Sequence, residues 1–339
     1  MTAPSHESTG STWHKWDLHI HTPSSFDYRD KSLRHKELAD HLNNSHIDAF
    51  AVTDHWNVDG FFELKPLVSP NKLLLPGIEL RIDKTSKQKS STGDQKLGIL
   101  HALVLFPEDT TKEDIELKFL HRIRLCEREN KYVVRKEIIE LGKEVLSGGR
   151  PDEEYYSEGC QQAYVDYHEV TKAAKALNGL VCLTYDKYGG FEKIDPVHDS
   201  IFKRNLVKDC DLIETAKDEV RRAFFENEKI VKSCSKKTPC FRGSDAHKPD
   251  EIGRSYTWIK AAKGFEGLRQ IIYFPKERVS FSADRPLYSY PRLKSVEFNK
   301  LEDGHCLSAL DSKIEFSDNL TSIIGHPSIG KSTFVEALA

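Results

Sequence analysis

Two histidines of the segment WDLHIHT stand two residues apart, after a strand-like apolar start. Side chains alternate between the two faces of a strand, so residues i, i+2 and i+4 share one face. We therefore expect Asp17, His19 and His21 to point the same way. This face is either an ordinary exposed surface or half of a metal site, since zinc, manganese and iron bind imidazole and carboxylate groups.

More residues of these types stand at the ends of other strand candidates. They are Asp54 and His55 of VTDH, Glu79 of GIEL, His101 of ILHAL, Glu214 of DLIET, and Asp245 and His247 of GSDAH. A single histidine of this kind is usually a structural or surface residue, but the repetition at strand ends argues against chance. If these strand ends converge, the residues form a site for divalent metal ions.

Short apolar segments alternate with helix-like segments along most of the chain. The strand candidates are residues 48–54, 72–80, 98–106, 179–184, 210–215 and 238–245, and the helix candidates include 33–45 and 167–178. This alternation predicts a parallel α/β architecture whose strands end at one rim. Residues 84–97 are polar and are predicted to form a loop. Residues 112–146 are predicted to be helical and 147–160 to be a loop, together an insertion on the α/β body.

The insertion carries arginines interleaved with glutamates. The candidates for contacts are Arg122, Arg124, Arg128 and Arg135. One interpretation is a solvated helix face held by pairs four residues apart, and the other is a surface that contacts nucleic-acid phosphates. The net charge of −3 excludes a general attraction of the whole chain to nucleic acid, but it leaves room for a local basic groove.

The motifs DLHIHT, TDH, GIEL, His101 and GSDAH resemble, in this order, the PHP (polymerase and histidinol phosphatase) family of metal-dependent phosphoesterases. The resemblance implies an α/β fold, a distorted (β/α)7 barrel with two or three divalent ions, manganese, zinc or iron, at its C-terminal rim. The metal ligands that it implies are His19, His21, Asp27, His55, Glu79, His101, Asp245 and His247. The resemblance implies one ion among His19, His21, Glu79 and Asp245. It also implies that Glu79 bridges to a second ion at His101 and that a third ion lies between His55 and His247.

Two positions differ from the family's pattern. Asp27 stands where the family often has a histidine, and it can still bind a metal through oxygen. Tyr185 of LTYDK stands where the family often has the histidine of AHP, with Asp186 as the substitute ligand. Asp54 is predicted either to orient the reacting water or a ligand histidine, as a catalytic residue, or to cap the following turn.

Residues 325–332, near the last residues of the printed sequence, match a phosphate-binding motif. Residues 325–332 of IIGHPSIGKST fit the pattern G-x-x-x-x-G-K-[ST], between the apolar TSII and the helix-forming FVEALA. This context predicts a strand, a P-loop and a helix that bind ATP with magnesium. The predicted ATP-binding residues are Gly325, Gly330, Lys331, Ser332 and Thr333.

The segment around this motif resembles the opening of ABC, SMC and RecF-like ATPases. A PHP domain followed by such a segment resembles the TrlF-like PHP-ATPases, which implies the truncated start of a P-loop NTPase domain within a longer homo-oligomeric protein. The domain boundaries that we predict are a lead-in over 1–12, a PHP domain over 13–283 with a helical insertion over 112–160, a linker over 284–293, and the incomplete ATPase domain over 294–339.

Cysteine usage and hydropathy bear on the compartment. The seven cysteines form no C-x-x-C pair, which favours reduced thiols and a cytoplasmic protein. No apolar run approaches the ~18 residues of a membrane span, and the polar amino-terminal residues lack a signal-peptide core.

Three functional hypotheses follow. The first is a metal-dependent phosphodiesterase, a nuclease on DNA or RNA, coupled to an ATPase domain in phage defence or DNA repair. The second is a phosphatase on a small phosphomonoester. The third is a degenerate PHP module that binds nucleic acid or regulates the ATPase.

Overall fold

The computed structural model describes residues 11–89, 95–194, 200–286, 293–297, 313–316, 321–336 and 338. The chain divides into two units, His14–Ala283 and a smaller one that comprises Met1–Trp13 and Asp284–Ala339. Most of the predicted lead-in and residues 287–292 of the predicted linker lie outside the described residues.

A barrel-like sheet of nine strands forms the body of the larger unit. The strands are β1 (Thr12–Ile20), β2 (Ala49–Val52), β3 (Leu73–Lys89), β4 (Gln95–Leu105), β5 (Leu180–Thr184), β6 (Leu212–Glu214), β7 (Cys240–Phe241), β8 (Thr257–Ala261) and β9 (Val279–Ser280). Their order is β7-β6-β5-β4-β3-β2-β1-β8-β9. The segment after β7 returns to β1, where Ala246 and Ile20 form a parallel bridge. The seven strands β1–β7 therefore nearly close on themselves.

The strands of this barrel are parallel except for β4, which is antiparallel to both β3 and β5. All four residues of β2 are buried, as in parallel strands that are covered on both faces. The predicted α/β fold with a distorted (β/α)7 barrel is thus confirmed, and the reversed β4 is its main distortion.

The predicted loop over residues 84–97 is wrong. β3 continues to Lys89 and β4 begins at Gln95, and these two residues pair across the hairpin. Antiparallel strands can be joined directly and satisfy each other's backbone groups, so a polar sequence is compatible with a long ribbon. Residues 90–94 lie outside the described part of the chain.

Helices cover the sheet and build the insertion. They are α1 (His35–Asn44), α2 (Asp59–Leu64), α3 (Lys112–Asp114), α4 (Arg135–Val145), α5 (Asp152–Gln162), α6 (Tyr167–Ala176), α7 (Ser200–Asp209), α8 (Asp218–Glu226), α9 (Glu228–Cys234), α10 (Phe265–Tyr273) and α11 (Pro275–Arg278). Their burial follows the helical period: in α1, Leu38, Ala39 and Leu42 are buried in a cluster with Phe50 of β2.

The insertion differs from the prediction in its secondary structure. Residues 112–122 are helical, because α3 continues into a π-helix, Ile115–Phe119, and a 3₁₀ turn, Leu120–Arg122. Residues 123–134 are not helical, so a single long helix over 112–146 is wrong. The predicted loop over 147–160 contains most of α5. Pro151 precedes α5 and three acidic residues occupy its first turn, where they interact favourably with the helix dipole. Pro151 and these acidic residues favour the start of a helix here, although two glycines precede Pro151.

The smaller unit contains β10 (Ser295–Val296), which pairs antiparallel with β11 (Ile314–Glu315), and α12 (Lys331–Glu336). The predicted strand before the P-loop motif is not formed at residues 321–324. Nζ of Lys331 donates to the carbonyl oxygens of Gly325, at 2.8 Å, and His326, at 2.6 Å. The P-loop assignment of this segment stays a prediction.

Two further observations concern hydropathy and cysteines. Among the described residues, no helix combines the length and the apolar character needed to cross a bilayer. Cys160, Cys182, Cys210, Cys234 and Cys240 are free thiols, and Cys306 lies outside the described part of the chain. A cytoplasmic location stays a prediction.

Candidate metal centre

Four predicted ligands meet at the rim of the barrel: His19, His21, Glu79 and Asp245, the first group. Nε2 of His19 lies 3.0 Å from Oε2 of Glu79 and 3.2 Å from Oδ1 of Asp245. Nε2 of His21 lies 3.3 Å and 3.4 Å from the same two oxygens. A tetrahedral ion with bonds of about 2.0–2.2 Å separates its ligand atoms by roughly 3.3–3.6 Å. The first group therefore has nearly the spacing of ligands to one ion.

β1 and the segment after β7 bring these side chains together. His19 and His21 both belong to the first group, but Asp17, which we expected on the same face, lies outside the ligand groups, and the register of β1 shifts between Asp17 and Ile20. Its carboxylate accepts hydrogen bonds from the backbone N–H groups of Ser244, at 2.8 Å, and Gly253, at 3.0 Å. Burial raises the pKa of Asp17 to about 6. Asp17 thus anchors the segment that carries Asp245.

Asp245 itself has a left-handed backbone conformation, with a φ of 55°. This conformation is uncommon for residues other than glycine, although aspartate tolerates it better than most. The N–H of Asp245 donates to the carbonyl oxygen of His19 at 2.8 Å. The bond to β1 therefore helps to hold an unfavourable backbone conformation that directs a carboxylate to the rim.

The second group contains His55, Glu79 and His101. Nδ1 of His101 lies 2.5 Å from Oε1 of Glu79, and Nε2 of His55 lies 3.5 Å from Oε2. All three residues are buried. Because the two oxygens of Glu79 face different histidines, this carboxylate can bridge two neighbouring ions, as the sequence resemblance implies.

The third group contains His21, Asp27, His55 and His247. Oδ2 of Asp27 lies 2.8 Å from Nε2 of His247 and 3.2 Å from Nε2 of His55. Oγ of Ser25 donates to the other oxygen of Asp27 at 2.7 Å. Asp27 therefore takes a ligand position although it is not a histidine. All eight predicted metal ligands lie in the three groups.

The electrostatics of the rim fit divalent cations. Burial opposes the ionisation of Asp27 and Asp245, but neighbouring histidines outweigh it and hold the pKa of both carboxyls well below the usual range. Nε2 of His101 is buried and has no hydrogen-bond partner among the described residues. Ionised carboxylates and imidazole nitrogens within one small volume match zinc, manganese or iron.

Two residues behind the first group complete the site. Oε2 of Glu214 lies 2.9 Å from Nδ1 of His19, a contact that directs Nε2 of His19 towards the group. Nζ of Lys187 donates to Oε1 of Glu214 at 2.7 Å. Sequence reasoning noted Glu214 at a strand end without a role and missed Lys187. The only sequence feature that points to Lys187 is that it stands two residues after Tyr185, the position where the family often has a histidine.

Tyr185 and Asp186 lie outside all three groups. The Tyr185 ring packs against Phe191, with centroids 5.0 Å apart, and against Phe224, at 5.9 Å. Asp186 accepts hydrogen bonds from Oγ1 of Thr215 and the N–H of Ala216. Because side chains alternate along β5 and Thr184 contacts Glu214, the next residue faces away from the site. Tyr185 therefore faces away, and the contacts of the substitute ligand Asp186 with Thr215 and Ala216 hold it outside the three groups.

Asp54 is buried and both of its oxygens contact Thr22. Oδ1 accepts from the N–H of Thr22 at 2.7 Å, and Oδ2 from its hydroxyl at 2.6 Å. Burial raises the pKa of Asp54 to about 6. The carboxylate thus stabilises the turn after β1, which follows His21, rather than the turn after Asp54. A part for it in orienting water stays a prediction.

Three of the four candidate arginines are ion-paired. Arg124 pairs with Glu169, Arg128 with Glu144, and Arg135 with Glu153. These partners are 16 to 45 residues away, so the predicted pairing four residues apart is wrong for them. Arg122 is exposed and makes no ion pair with a residue that the structure describes. Contacts of these arginines with nucleic acid stay a prediction.

A groove of about 680 Å³ lies between the loop after β1 and the insertion. Phe26, Lys31, Arg135 and Tyr156 line it, together with the acids Asp59, Glu63, Glu153 and Glu154. The ring of Phe26 lies 5.1 Å from that of His55, so the groove adjoins the second and third groups. Its lining combines aromatic rings with charges of both signs.

Comparison with known proteins gives a family and distant structural neighbours. The PHP domain model matches residues 17–233, and the PHP-associated model matches residues 226–270. A lesion-specific endonuclease from Pyrococcus furiosus is 15% identical, with a TM-score of 0.44, over 78% of this chain and 57% of that chain. The chain thus spans little more than half the length of that endonuclease.

A second solved structure is a putative metal-dependent phosphoesterase from Bifidobacterium adolescentis, 16% identical with a TM-score of 0.41, over 76% of this chain and 95% of that chain. A third is a two-domain protein from Bacteroides vulgatus containing a predicted PHP-like phosphoesterase, 13% identical with a TM-score of 0.41, over 82% of this chain and 68% of that chain. No curated protein matches the sequence.

Proposed function

The chain belongs to the PHP domain family, and from this premise we propose that it is a metal-dependent phosphodiesterase that acts as a nuclease on DNA or RNA. The observation that carries the proposal is the set of three ligand groups that share His21, His55 and Glu79. Shared ligands keep neighbouring ions close together, which is the arrangement that phosphoryl chemistry with two metals uses.

The residues of the chain have separable parts in this proposal. When bound, divalent ions supply Lewis acidity, which makes water nucleophilic near neutral pH and neutralises charge on a phosphoryl group. Glu79 joins the first and second groups, and Asp17 and Glu214 hold Asp245 and His19 in place. The reaction requires no serine or cysteine nucleophile.

The groove supports a polymeric substrate. Phe26 offers a ring on which a base can stack, and Lys31 and Arg135 can contact phosphates. The four acids of the same lining weaken the attraction for a long polyanion and favour the second candidate, a phosphatase on a small phosphomonoester. A degenerate PHP module that binds nucleic acid or regulates the ATPase is the third candidate.

We further propose that residues 325–333 bind ATP with magnesium and couple an ATPase to the phosphodiesterase in a longer, homo-oligomeric protein. Support comes from the motif and from α12, which begins at Lys331 directly after Gly330. The resemblance to the TrlF-like PHP-ATPases supports a role in phage defence or DNA repair, and the cysteine usage supports a cytoplasmic location.

A cleavage panel tests the phosphodiesterase proposal. Single- and double-stranded DNA and RNA, and p-nitrophenyl phosphate as a monoester, are incubated with Mn²⁺, Zn²⁺ or Fe²⁺. We expect nucleic acid to be cleaved, and Asp245→Ala to reduce turnover by more than the roughly 10–100-fold that outer contacts of a metal site contribute. Asp250→Ala, at an exposed acid five residues away, is the matched control.

The outcomes separate the candidates. Full nuclease turnover in Asp245→Ala contradicts the proposed site. Turnover of the monoester alone supports the phosphatase. Nucleic-acid binding without hydrolysis under any of the three metals supports the degenerate module.

A further inference from the structure

The amino group of Lys187 lies directly behind the first group. It donates to Oε1 of Glu214 at 2.7 Å and to the carbonyl oxygen of Gly243 at 2.8 Å. The side chain is only 21% exposed. Lys187 follows β5, in the segment where the family's pattern has a metal-binding histidine, but it brings a cation and no metal ligand.

Glu214 needs this cation. Its side chain is fully buried, and a buried carboxylate is costly unless charges and hydrogen bonds compensate it. Oε2 contacts Nδ1 of His19 at 2.9 Å and the hydroxyl of Thr184 at 3.3 Å. Among the described residues, Lys187 is the one lysine or arginine that pairs with Glu214. A chain of contacts therefore runs from Lys187 through Glu214 to His19.

The second contact of Lys187 is with the segment that leads to Asp245. Gly243 stands two residues before Asp245, and its backbone lies close to His19. A Cβ built on Gly243 would meet Cβ of His19 at 2.5 Å and Oε1 of Glu214 at 2.9 Å. The same amino group thus contacts the support of His19 and the segment that leads to Asp245.

We propose that Lys187 is a positioning residue of the metal centre, which holds Glu214 and the Gly243 carbonyl so that His19 and Asp245 present their ligand atoms together. The inference rests on the proposed function only in assuming that the first group binds a divalent ion. It gives Lys187 a part that the family's ligand pattern does not contain. A lysine that only stabilises the fold would leave metal affinity unchanged.

Metal binding measures this part directly. The full 339-residue chain is stripped with a chelator and titrated with Mn²⁺ by calorimetry, without substrate. We expect Lys187→Met to weaken the tightest site by about 10–100-fold, the range for outer contacts of metal ligands. Lys187→Arg keeps the charge and is expected to recover most of the affinity. Lys217→Met removes a nearby lysine that pairs with Glu192 at 2.6 Å, and we expect it to bind like the wild type.

Unfolding and coupling controls accompany the titration. If Lys187→Met does not fold, Lys187→Gln, which keeps hydrogen-bonding groups without the charge, replaces it. We expect Glu214→Gln to weaken binding as well, and the double variant with Lys187→Met to be little weaker than Glu214→Gln alone, because both act through one contact chain.

Wild-type affinity in Lys187→Met or in its replacement Lys187→Gln, with or without a lower melting temperature, overturns the inference. If Mn²⁺ affinity depends on Lys187 as expected but the wild-type chain cleaves no phosphodiester, the proposed function is contradicted and the inference stands. A wild-type chain that binds no Mn²⁺ contradicts both.

Discussion

At the rim of the barrel, single residues account both for the agreement between the predicted and observed metal ligands and for the main difference between them. The sequence motifs name side chains that the structure brings within a few ångströms of one another, including Asp27 in place of a histidine. Tyr185 faces an aromatic cluster instead, and Lys187 reaches the site from the same segment. The spacing of a motif identifies which residue types are present, but the orientation of each side chain after a strand end depends on the local backbone.

The position of Tyr185 gives a prediction about metal content. Because the side chain at position 185 lies against Phe191 and Phe224, Tyr185→His is expected to bind no additional ion, and Tyr185→Phe is expected to keep the metal content of the wild type. The measurement is elemental analysis of the purified chains after dialysis. A gain of one equivalent in Tyr185→His would show that residue 185 faces the rim. His101→Ala, which removes a member of the second group, serves as the positive control for a loss.

Among the helices and strands, the insertion departs most from expectation. α4 and α5 pack so closely that a Cβ on Gly142 would meet the carbonyl oxygen of Tyr155 at 1.8 Å, and one on Gly159 that of Ile138 at 1.8 Å. Nε1 of Trp56, next to His55, donates to the carbonyl oxygen of Cys160 in α5 at 3.0 Å. The insertion is therefore attached to the segment that carries a ligand of the second and third groups.

This close helix contact predicts a large effect of one methyl group. Gly159→Ala is expected to lower the free energy of unfolding by about 1–3 kcal/mol, because overpacking separates α4 from α5 and outweighs the better helix propensity of alanine. Urea unfolding followed by circular dichroism measures it. Gly149→Ala is the control, since a Cβ there meets no atom within 4 Å. Equal stability of the two variants would argue against the close contact.

In the larger unit as a whole, the metal centre joins β1, the first strand of the barrel, to the segment after β7, the last one. His19 in β1 and Asp245 after β7 meet in the first group, and the parallel bridge between Ile20 and Ala246 lies beside them. Ions that bind these ligands bind the folded barrel, because the unfolded chain does not hold residues so distant in sequence together. Metal binding and barrel stability are therefore expected to be coupled.

The coupling predicts the effect of metal removal. At a free Mn²⁺ concentration 100 times the dissociation constant, one site adds about 2.7 kcal/mol to the free energy of unfolding. We expect a chelator to lower the melting temperature of the wild type and to have a smaller effect on Asp245→Ala, which lacks a member of the first group. Differential scanning calorimetry measures both. An unchanged melting temperature in the wild type would contradict metal binding by the folded barrel.

The residue types of the site and the α/β class could be read from the sequence, because alternation along strands and acids or histidines at strand ends are local patterns. Distances, partners and orientations could not, since they arise between segments far apart in the chain. His19 contacts Glu214, 195 residues away, and Arg124 pairs with Glu169, 45 residues away. The reversed β4, the ribbon over the predicted loop and the inward turn of Lys187 likewise depend on pairing and packing that no local pattern encodes. Only the folded barrel brings the ligands of these separate motifs together at one rim.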